Sequence, residues 1–196
     1  MGGMMLKLEQ TYSGLVAGVD EAGRGSLVGP VVAASIIIDQ TKIIHGIKDS
    51  KKLTKTMREL LYKQITQNYV WSVGIVHHDE IDIINILEAT KKACTISVAN
   101  LAVKPNTVLI DGNMKFRDPR FISIINGDNL SISIGAASII AKVTRDRLML
   151  EYAKEFPEYM WHKNSGYGTK EHLNAISLHD LSPYHRKSFK IRSSTL

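Results

Sequence analysis

Apolar residues along this chain gather in short runs that alternate with longer amphipathic stretches. Runs of four to eight mostly apolar residues, several of them rich in β-branched side chains, are typical of strands. They predict strands at residues 15–20, 31–38, 71–76, 107–110 and 121–125. Stretches with apolar positions three and four residues apart are typical of helices. They predict helices at residues 55–67, 87–103, 136–156 and about 169–179.

Residues at the ends of these runs support the same boundaries. Thr54 is a suitable N-cap for the first helix, and Pro157 stops the third from continuing. Glycines and Pro30 crowd the connection between the first two strands, which favours a hairpin. The pattern predicts one α/β domain over residues 1–196, with a mixed central sheet flanked by helices. An N-terminal extension of about 12 residues and a helical C-terminal segment over residues 157–196 complete it.

Composition narrows the classes of function. Lys and Arg total 25 against 19 Asp and Glu, so the net charge is +6, which favours an anionic partner such as nucleic acid. A modest positive charge also serves solubility alone. The single cysteine, Cys94, leaves neither a disulfide framework nor a thiolate zinc site. No run approaches the ~20 apolar residues of a membrane span, so a cytoplasmic location is predicted.

Two adjacent carboxylates, Asp20 and Glu21, close the first strand and open a turn containing Gly23 and Gly25. An exposed turn in which both acids face water is the simplest interpretation of such a pair. A dinucleotide-binding turn is a second one, but that fingerprint needs a helix next, whereas here a β-branched strand follows Pro30. Because successive strand residues point to opposite faces, the two acids share one site only if the strand loses regularity near Glu21.

A second strand ends in the same way at Asp111. If the two strands are neighbours, the three acids converge at one edge of the sheet. Clustered carboxylates suit Mg²⁺ or Mn²⁺, because these hard cations take oxygen ligands. The sequence therefore predicts a divalent-metal site at this edge.

Six runs resemble the ribonuclease HII family in that family's own order. The resemblance covers residues from about 15 to 190, in the runs 18–25, 49–51, 108–112, 136–146, 166–172 and 182–189. It implies a ribonuclease H-like fold and cleavage of RNA in RNA/DNA hybrids, or of ribonucleotides embedded in duplex DNA. It also implies hydrolysis with two Mg²⁺ or Mn²⁺ ions that leaves 3′-hydroxyl and 5′-phosphate ends, by a protein acting as a monomer.

The resemblance also assigns residues. Asp20, Glu21 and Asp111 match the family's metal-binding carboxylates, and Asp128 matches the fourth on a looser motif. The substrate contacts that it implies fall at Gly23, Arg24, Gly25 and Tyr167, and at Ser50 and Lys51 for phosphate. The basic C-terminal segment adds Arg186 as a candidate for nucleic-acid contact. The turn would contact the ribose 2′-hydroxyl, and Tyr167 would stack on the neighbouring sugar at the RNA-to-DNA junction.

Three other features of the sequence are better explained without a catalytic role. His77 and His78 are adjacent and lack the spacing of helical zinc ligands. Asp146 lies between two arginines on a predicted helix, which favours a structural ion pair. The C-terminal basic residues could equally form a solvated face.

Two rival functions stay open at this stage. Another nuclease or recombinase on the same fold could use the same acids and metals, and cleavage of all-DNA duplexes would indicate it. A non-catalytic nucleic-acid-binding module would bind hybrids without cleaving them.

Overall fold

The computed structural model describes residues 8–39, 41–42, 44–47 and 53–191. Its strands are β1 (Val16–Ala22), β2 (Val31–Ile37), β3 (Val70–Val76), β4 (Thr107–Asp111) and β5 (Phe121–Ile124). They form a sheet in the order β3-β2-β1-β4-β5. β2 is antiparallel to β1 and β3, whereas β4 is parallel to β1 and β5. The sheet is therefore mixed and opens with a hairpin, as predicted.

Helices cover both faces of this sheet. In the described residues they are α1 (Lys55–Asn68), α2 (His78–Ile84), α3 (Ile86–Ala99), α4 (Gly127–Leu130), α5 (Ile132–Glu155), α6 (Trp161–Asn164) and α7 (Lys170–His179). Successive side chains of β2 point to opposite faces of the sheet. Ala33 packs against α2 and α3 on one face, and Ala34 packs against α1 and α5 on the other. Residues 8–191 contain no helix long and apolar enough to cross a membrane, as far as they are described.

Helix α5 begins four residues earlier than the sequence pattern predicted. The Ser131 side chain accepts a hydrogen bond from the Ile134 amide at 3.1 Å and caps the helix. A side chain at Gly18 would meet the backbone of Ser133 at 2.2 Å, so this glycine lets α5 cross β1 closely. The long helix therefore runs directly over the strand that carries Asp20.

The other helices agree with the predicted boundaries in part. Thr54 caps α1 as predicted, accepting from the Met57 amide at 3.2 Å. Helix α3 ends at Ala99, four residues early, where Asn100 caps it. The sequence did not indicate α2, because its seven residues begin with polar side chains and bury only Ile81.

The expected irregularity near Glu21 is wrong. The antiparallel register with β2 continues to the pair Ala22 and Val32 without interruption. The turn at Gly23 begins only after this pair, and Gly23 has a φ of +96°. Asp20 and Glu21 are therefore both in regular strand geometry, and a regular strand still allows both to line one cleft near its carboxyl end.

Residues 182–189, here called the C-terminal strap, lie along the turn that joins β1 to β2. We call residues 23–30 the glycine-rich turn. The Arg186 amide donates to the Leu27 carbonyl at 2.8 Å, and the Gly29 amide donates to the Tyr184 carbonyl at 2.9 Å. The strap is thus built into the fold beside the two catalytic candidates of β1.

Candidate active site

Three of the predicted acids meet in one cleft at the carboxyl ends of β1 and β4. Val19 pairs with Ile110 in the parallel register, which places Asp20 beside Asp111 one residue further along. Both line a cleft of about 470 Å³ together with Glu21. The convergence expected from the two strand ends is present in the structure.

Asp20 lies deepest in this cleft, with 6% of its surface exposed. Its Oδ1 accepts from the Glu21 amide at 2.7 Å, and Ser138 of α5 also donates to its side chain. Burial, followed by the negative charges of Glu21 and Asp111, raises the pKa of Asp20 well above its usual value. These carboxylates therefore repel one another at close range, and a cation between them would relieve that repulsion.

Only one of the two carboxylate oxygens of Glu21 has a hydrogen-bond partner in the described residues. Arg24 Nη1 donates to its Oε1 at 3.1 Å. Its Oε2 is buried and has no hydrogen-bond partner in the described part of the chain. Burial raises the pKa of Glu21, while the charge of Arg24 opposes that rise. A buried carboxylate oxygen without a donor is costly and suits a metal ion as its partner.

Asp111 is fixed by the loop that follows β5. Its Oδ1 accepts from the Gly127 amide at 2.7 Å. That amide belongs to α4, whose next residue is Asp128. The bond therefore connects the third acid directly to the segment that carries the fourth.

Asp128 is 6% exposed, and its Oδ1 accepts from Asn129 Nδ2 at 3.1 Å. It does not line the cleft with the other three acids. No group of three or more His, Cys, Asp or Glu residues in the described ranges has the geometry of a formed metal site. Two of the carboxylate oxygens, Glu21 Oε1 and Asp111 Oδ1, accept hydrogen bonds from Arg24 and from the Gly127 amide. The donor set of oxygens, with one oxygen unsatisfied, nevertheless fits a hard divalent cation.

The first three residues of the glycine-rich turn, Gly23, Arg24 and Gly25, line the cleft. A side chain at Gly23 would lie 2.0 Å from Arg145 Nε, and its φ of +96° disfavours any other residue. The Arg145 side chain therefore packs directly against the backbone of the turn at Gly23.

Tyr167 stands at the rim of the cleft with 37% of its surface exposed. The guanidinium of Arg145 lies 5.6 Å from the centroid of its ring. Its carbonyl oxygen accepts from His172 Nδ1 at 2.9 Å. Since a carbonyl oxygen can only accept, the proton of His172 is on Nδ1, and its Nε2 is left to accept from Trp161 Nε1 at 3.0 Å.

His172 and its neighbour His185 are functional support that the sequence did not identify. Both are buried, with 0% and 1% of their surfaces exposed, and their ring centroids are 5.4 Å apart. Burial lowers the pKa of His172, and it lowers that of His185 to about 4. Both rings are therefore neutral near pH 7. His172 holds the Tyr167 loop through its Nδ1 proton, and the His185 ring lies against His172. His172 belongs to a run that resembles the family, which was the available signal.

The position of Arg186 differs from the expected one. Instead of facing solvent for a phosphate contact, its side chain is 1% exposed and donates to the carbonyls of Gly29 and Arg24. Lys187 and Ser188 donate their amides to Asp82 of α2, at 2.9 Å each. The C-terminal strap is thus mainly an internal contact. Ser50 and Lys51, predicted to contact phosphate, lie outside the described residues.

Asp146 is a member of an ion pair, as predicted, but its partner is not an adjacent arginine. Lys142 Nζ lies 2.5 Å from its Oδ1, and Ser165 Oγ donates to the same oxygen at 3.2 Å. Arg147 pairs instead with Glu59 at 2.7 Å. Lys142 also lines the cleft. Asp146 therefore orients the ammonium group of Lys142 near the carboxylates.

A family model and several curated proteins match most of the chain. A family model described as Ribonuclease HII matches residues 17–192. Proteins named Ribonuclease HII from Rickettsia typhi and Rickettsia akari are 72% and 71% identical to this chain over 187 residues. Each alignment covers 95% of this chain and 97% of the relative.

Solved structures give the same result. Ribonuclease H2 from Pyrococcus horikoshii is 30% identical, with a TM-score of 0.74, over 90% of this chain and 94% of that one. An RNase HII from Archaeoglobus fulgidus, solved in complex with PCNA, is 26% identical with a TM-score of 0.77. That match covers 93% of this chain and 98% of the other.

Proposed function

Because this chain belongs to the ribonuclease HII family and is an endoribonuclease acting on RNA/DNA hybrids, we propose that Asp20, Glu21, Asp111 and Asp128 form its catalytic centre. One observation carries the proposal above all others. Carboxylates from β1 and from its parallel neighbour β4 line the same cleft, beside a turn and a tyrosine that a nucleic acid could contact. Embedded ribonucleotides in duplex DNA are the finer substrate that we propose.

The resemblance to the ribonuclease HII family implies a divalent-metal requirement. We propose that the four acids hold two Mg²⁺ or Mn²⁺ ions, since they offer only oxygen donors and one of these oxygens, Glu21 Oε2, lacks a partner in the described residues. The chemistry that such ions supply is activation of water and stabilisation of the departing 3′ oxygen, which leaves 3′-hydroxyl and 5′-phosphate ends. Ser138 and the Gly127 amide orient Asp20 and Asp111 for this role.

Removing a carboxylate should stabilise the metal-free protein. We expect Asp20→Asn to raise the melting temperature without metal by about 2 °C or more, because it removes a buried charge repelled by Glu21 and Asp111. It should also abolish the rise that Mn²⁺ produces in the wild type. Thermal unfolding with and without Mn²⁺ measures both effects. An unchanged Mn²⁺ response in Asp20→Asn would remove Asp20 from the proposed ligands.

For the substrate, we propose that the glycine-rich turn contacts the ribose 2′-hydroxyl, which donates and accepts hydrogen bonds and so distinguishes RNA from DNA. Tyr167 would stack on the sugar next to the cut. Its partly exposed ring at the rim of the cleft supports this role. A cytoplasmic location, a monomeric state and the phosphate contacts of Ser50 and Lys51 stay predictions.

One assay tests the proposed function directly. A duplex with a single ribonucleotide, the same duplex in all-DNA form and a long RNA/DNA hybrid are incubated with and without Mg²⁺ or Mn²⁺. We expect metal-dependent cuts in the first and third substrates only. Cleavage of the all-DNA duplex would indicate the rival nuclease, and binding without cleavage would indicate a non-catalytic module.

Tyr167→Ala should harm cleavage at a single ribonucleotide more than cleavage of a long hybrid. Stacking of an aromatic ring on one base contributes about 1–3 kcal/mol. Taking the lower part of that range for the sugar, we expect roughly a tenfold larger loss on the single-ribonucleotide duplex. The ratio of the two kcat/KM values measures it. Tyr167→Phe keeps the ring and should keep the wild-type ratio. Equal losses on both substrates in Tyr167→Ala would mean that the tyrosine only supports the fold.

A further inference from the structure

Two arginines lie directly beneath the glycine-rich turn, and each has only 1% of its surface exposed. Arg145 comes from the middle of α5, and Arg186 comes from the C-terminal strap. Neither forms an ion pair within the described ranges, in contrast to Arg147 and Arg24. A buried cation without an anionic partner is costly. Its cost must be offset by the hydrogen bonds that it makes.

Those hydrogen bonds converge on the backbone of the turn. Arg145 donates from Nε to the Pro30 carbonyl at 2.9 Å and from Nη2 to the Val28 carbonyl at 3.0 Å. Its Nη1 donates to the Ser165 carbonyl, also at 2.9 Å, in the loop that leads to Tyr167. One guanidinium therefore joins the turn to the tyrosine loop.

Arg186 completes the arrangement from the other side. Its Nε donates to the Gly29 carbonyl at 2.9 Å, and its Nη1 donates to the Arg24 carbonyl at 3.0 Å. Its Nη2 is buried with no partner among the described residues. Burial, followed by the positive charge of Arg145, lowers the pKa of Arg186 to about 9, so it is still charged near pH 7. Together the two arginines draw four carbonyls of the turn inward.

This fixes the direction of the amides as well. In a trans peptide the C=O and the following N–H point in opposite directions. Because the Arg24 carbonyl points to Arg186, the Gly25 amide points away from it. In the part of the chain that the structure describes, the amides of Gly23, Arg24 and Gly25 donate to no protein group. These residues line the cleft, so their donors are available to a ligand there.

We propose that Arg145 and Arg186 are positioning residues for ribonucleotide specificity, which orient the turn so that its amides meet the 2′-hydroxyl. The inference rests on the proposed function and adds to it the source of the turn's geometry. Neither arginine touches the substrate in this arrangement. The planar fork of a guanidinium bonds two separate carbonyls at once, which the single ammonium of lysine cannot reproduce.

Arg186→Lys tests the proposal, with Arg147→Lys as the matched control. Arg147 lies on α5, pairs with Glu59 and packs 4.4 Å from the centroid of the Tyr62 ring, so its described contacts are with α1 rather than with the turn's carbonyls. Single-turnover cleavage at one embedded ribonucleotide is measured with saturating enzyme, so that the fraction of active protein does not affect the rate. We expect at least about a tenfold lower rate for Arg186→Lys and less than a twofold change for the control.

Amide hydrogen exchange gives a second readout that general destabilisation would not produce. The amides of Leu27 and Gly29 are hydrogen-bonded within this assembly. In Arg186→Lys their exchange should accelerate more than that of Val19 in the core of β1. If this variant does not fold, Arg145→Lys is measured in the same way.

A wild-type single-turnover rate in the folded lysine variant would overturn the inference. So would a slow rate with unchanged exchange at Leu27 and Gly29, since the arginine would then act elsewhere. Failure of the proposed function has a different signature, because the wild-type protein itself would then leave the ribonucleotide-containing duplex uncut.

Discussion

Asp111→Asn is expected to lower the rate of hybrid cleavage by more than about 100-fold while leaving hybrid binding nearly unchanged. Loss of a residue that merely orients a metal ligand already costs about 10- to 100-fold, and Asp111 is proposed as a ligand itself. Its other contact, the Gly127 amide, can still donate to the amide oxygen of asparagine. Binding to phosphates elsewhere in the cleft should therefore persist.

Single-turnover rates and hybrid dissociation constants measure the two parts of this prediction. Asp118→Asn is the matched control, because Asp118 lies in the loop between β4 and β5 and pairs with Arg120 at the surface. It should cleave at the wild-type rate. Near-normal turnover by Asp111→Asn would reject the proposed carboxylate site.

Asp128→Asn should lower the cleavage rate by about 100-fold with little change in melting temperature, whereas Asp146→Asn should mainly lower stability. Asp128 is buried and directly follows the residue whose amide holds Asp111, which is why we propose it as the fourth acid. Asp146 is already engaged by Lys142 and Ser165. A partly exposed pair of this kind contributes at most about 1 kcal/mol, or roughly 2–4 °C.

Each variant controls for the other, since both replace one carboxylate by its amide. Melting curves are recorded without metal, and rates are recorded at saturating Mg²⁺ and Mn²⁺. If Asp128→Asn cleaves at the wild-type rate under both conditions, the site has three protein carboxylates rather than four. A larger rate loss in Asp146→Asn than in Asp128→Asn would assign the fourth role to Asp146.

Strand ends were the most informative feature of the sequence. Apolar runs that close on Asp20 and Asp111 predicted both the strands and their meeting point, because buried parallel strands carry their polar residues at their ends. The fourth acid was harder to assign, since α4 has four residues and no periodicity. Its membership of the site stays a prediction.

The support of the site could not be predicted in the same way. Arg186 stands in a basic segment, where a charged side chain is ordinarily exposed, and its partner Gly29 is 157 residues away. His172 and His185 meet only because α7 and the strap fold onto each other. Such contacts depend on tertiary packing, and local patterns contain no signal for them.

The contact between the C-terminal strap and the glycine-rich turn also affects how the enzyme is made. The turn leaves the ribosome early, whereas Tyr184 and Arg186, which hold it, are among the last described residues to be translated. Pairings between such distant segments form late, after the more local structure. In the nascent chain, β1 and its neighbours can therefore form before the contacts that order the glycine-rich turn are made. If the strap orients the turn as we propose, the chain becomes competent for its substrate only once residues 182–189 have been added.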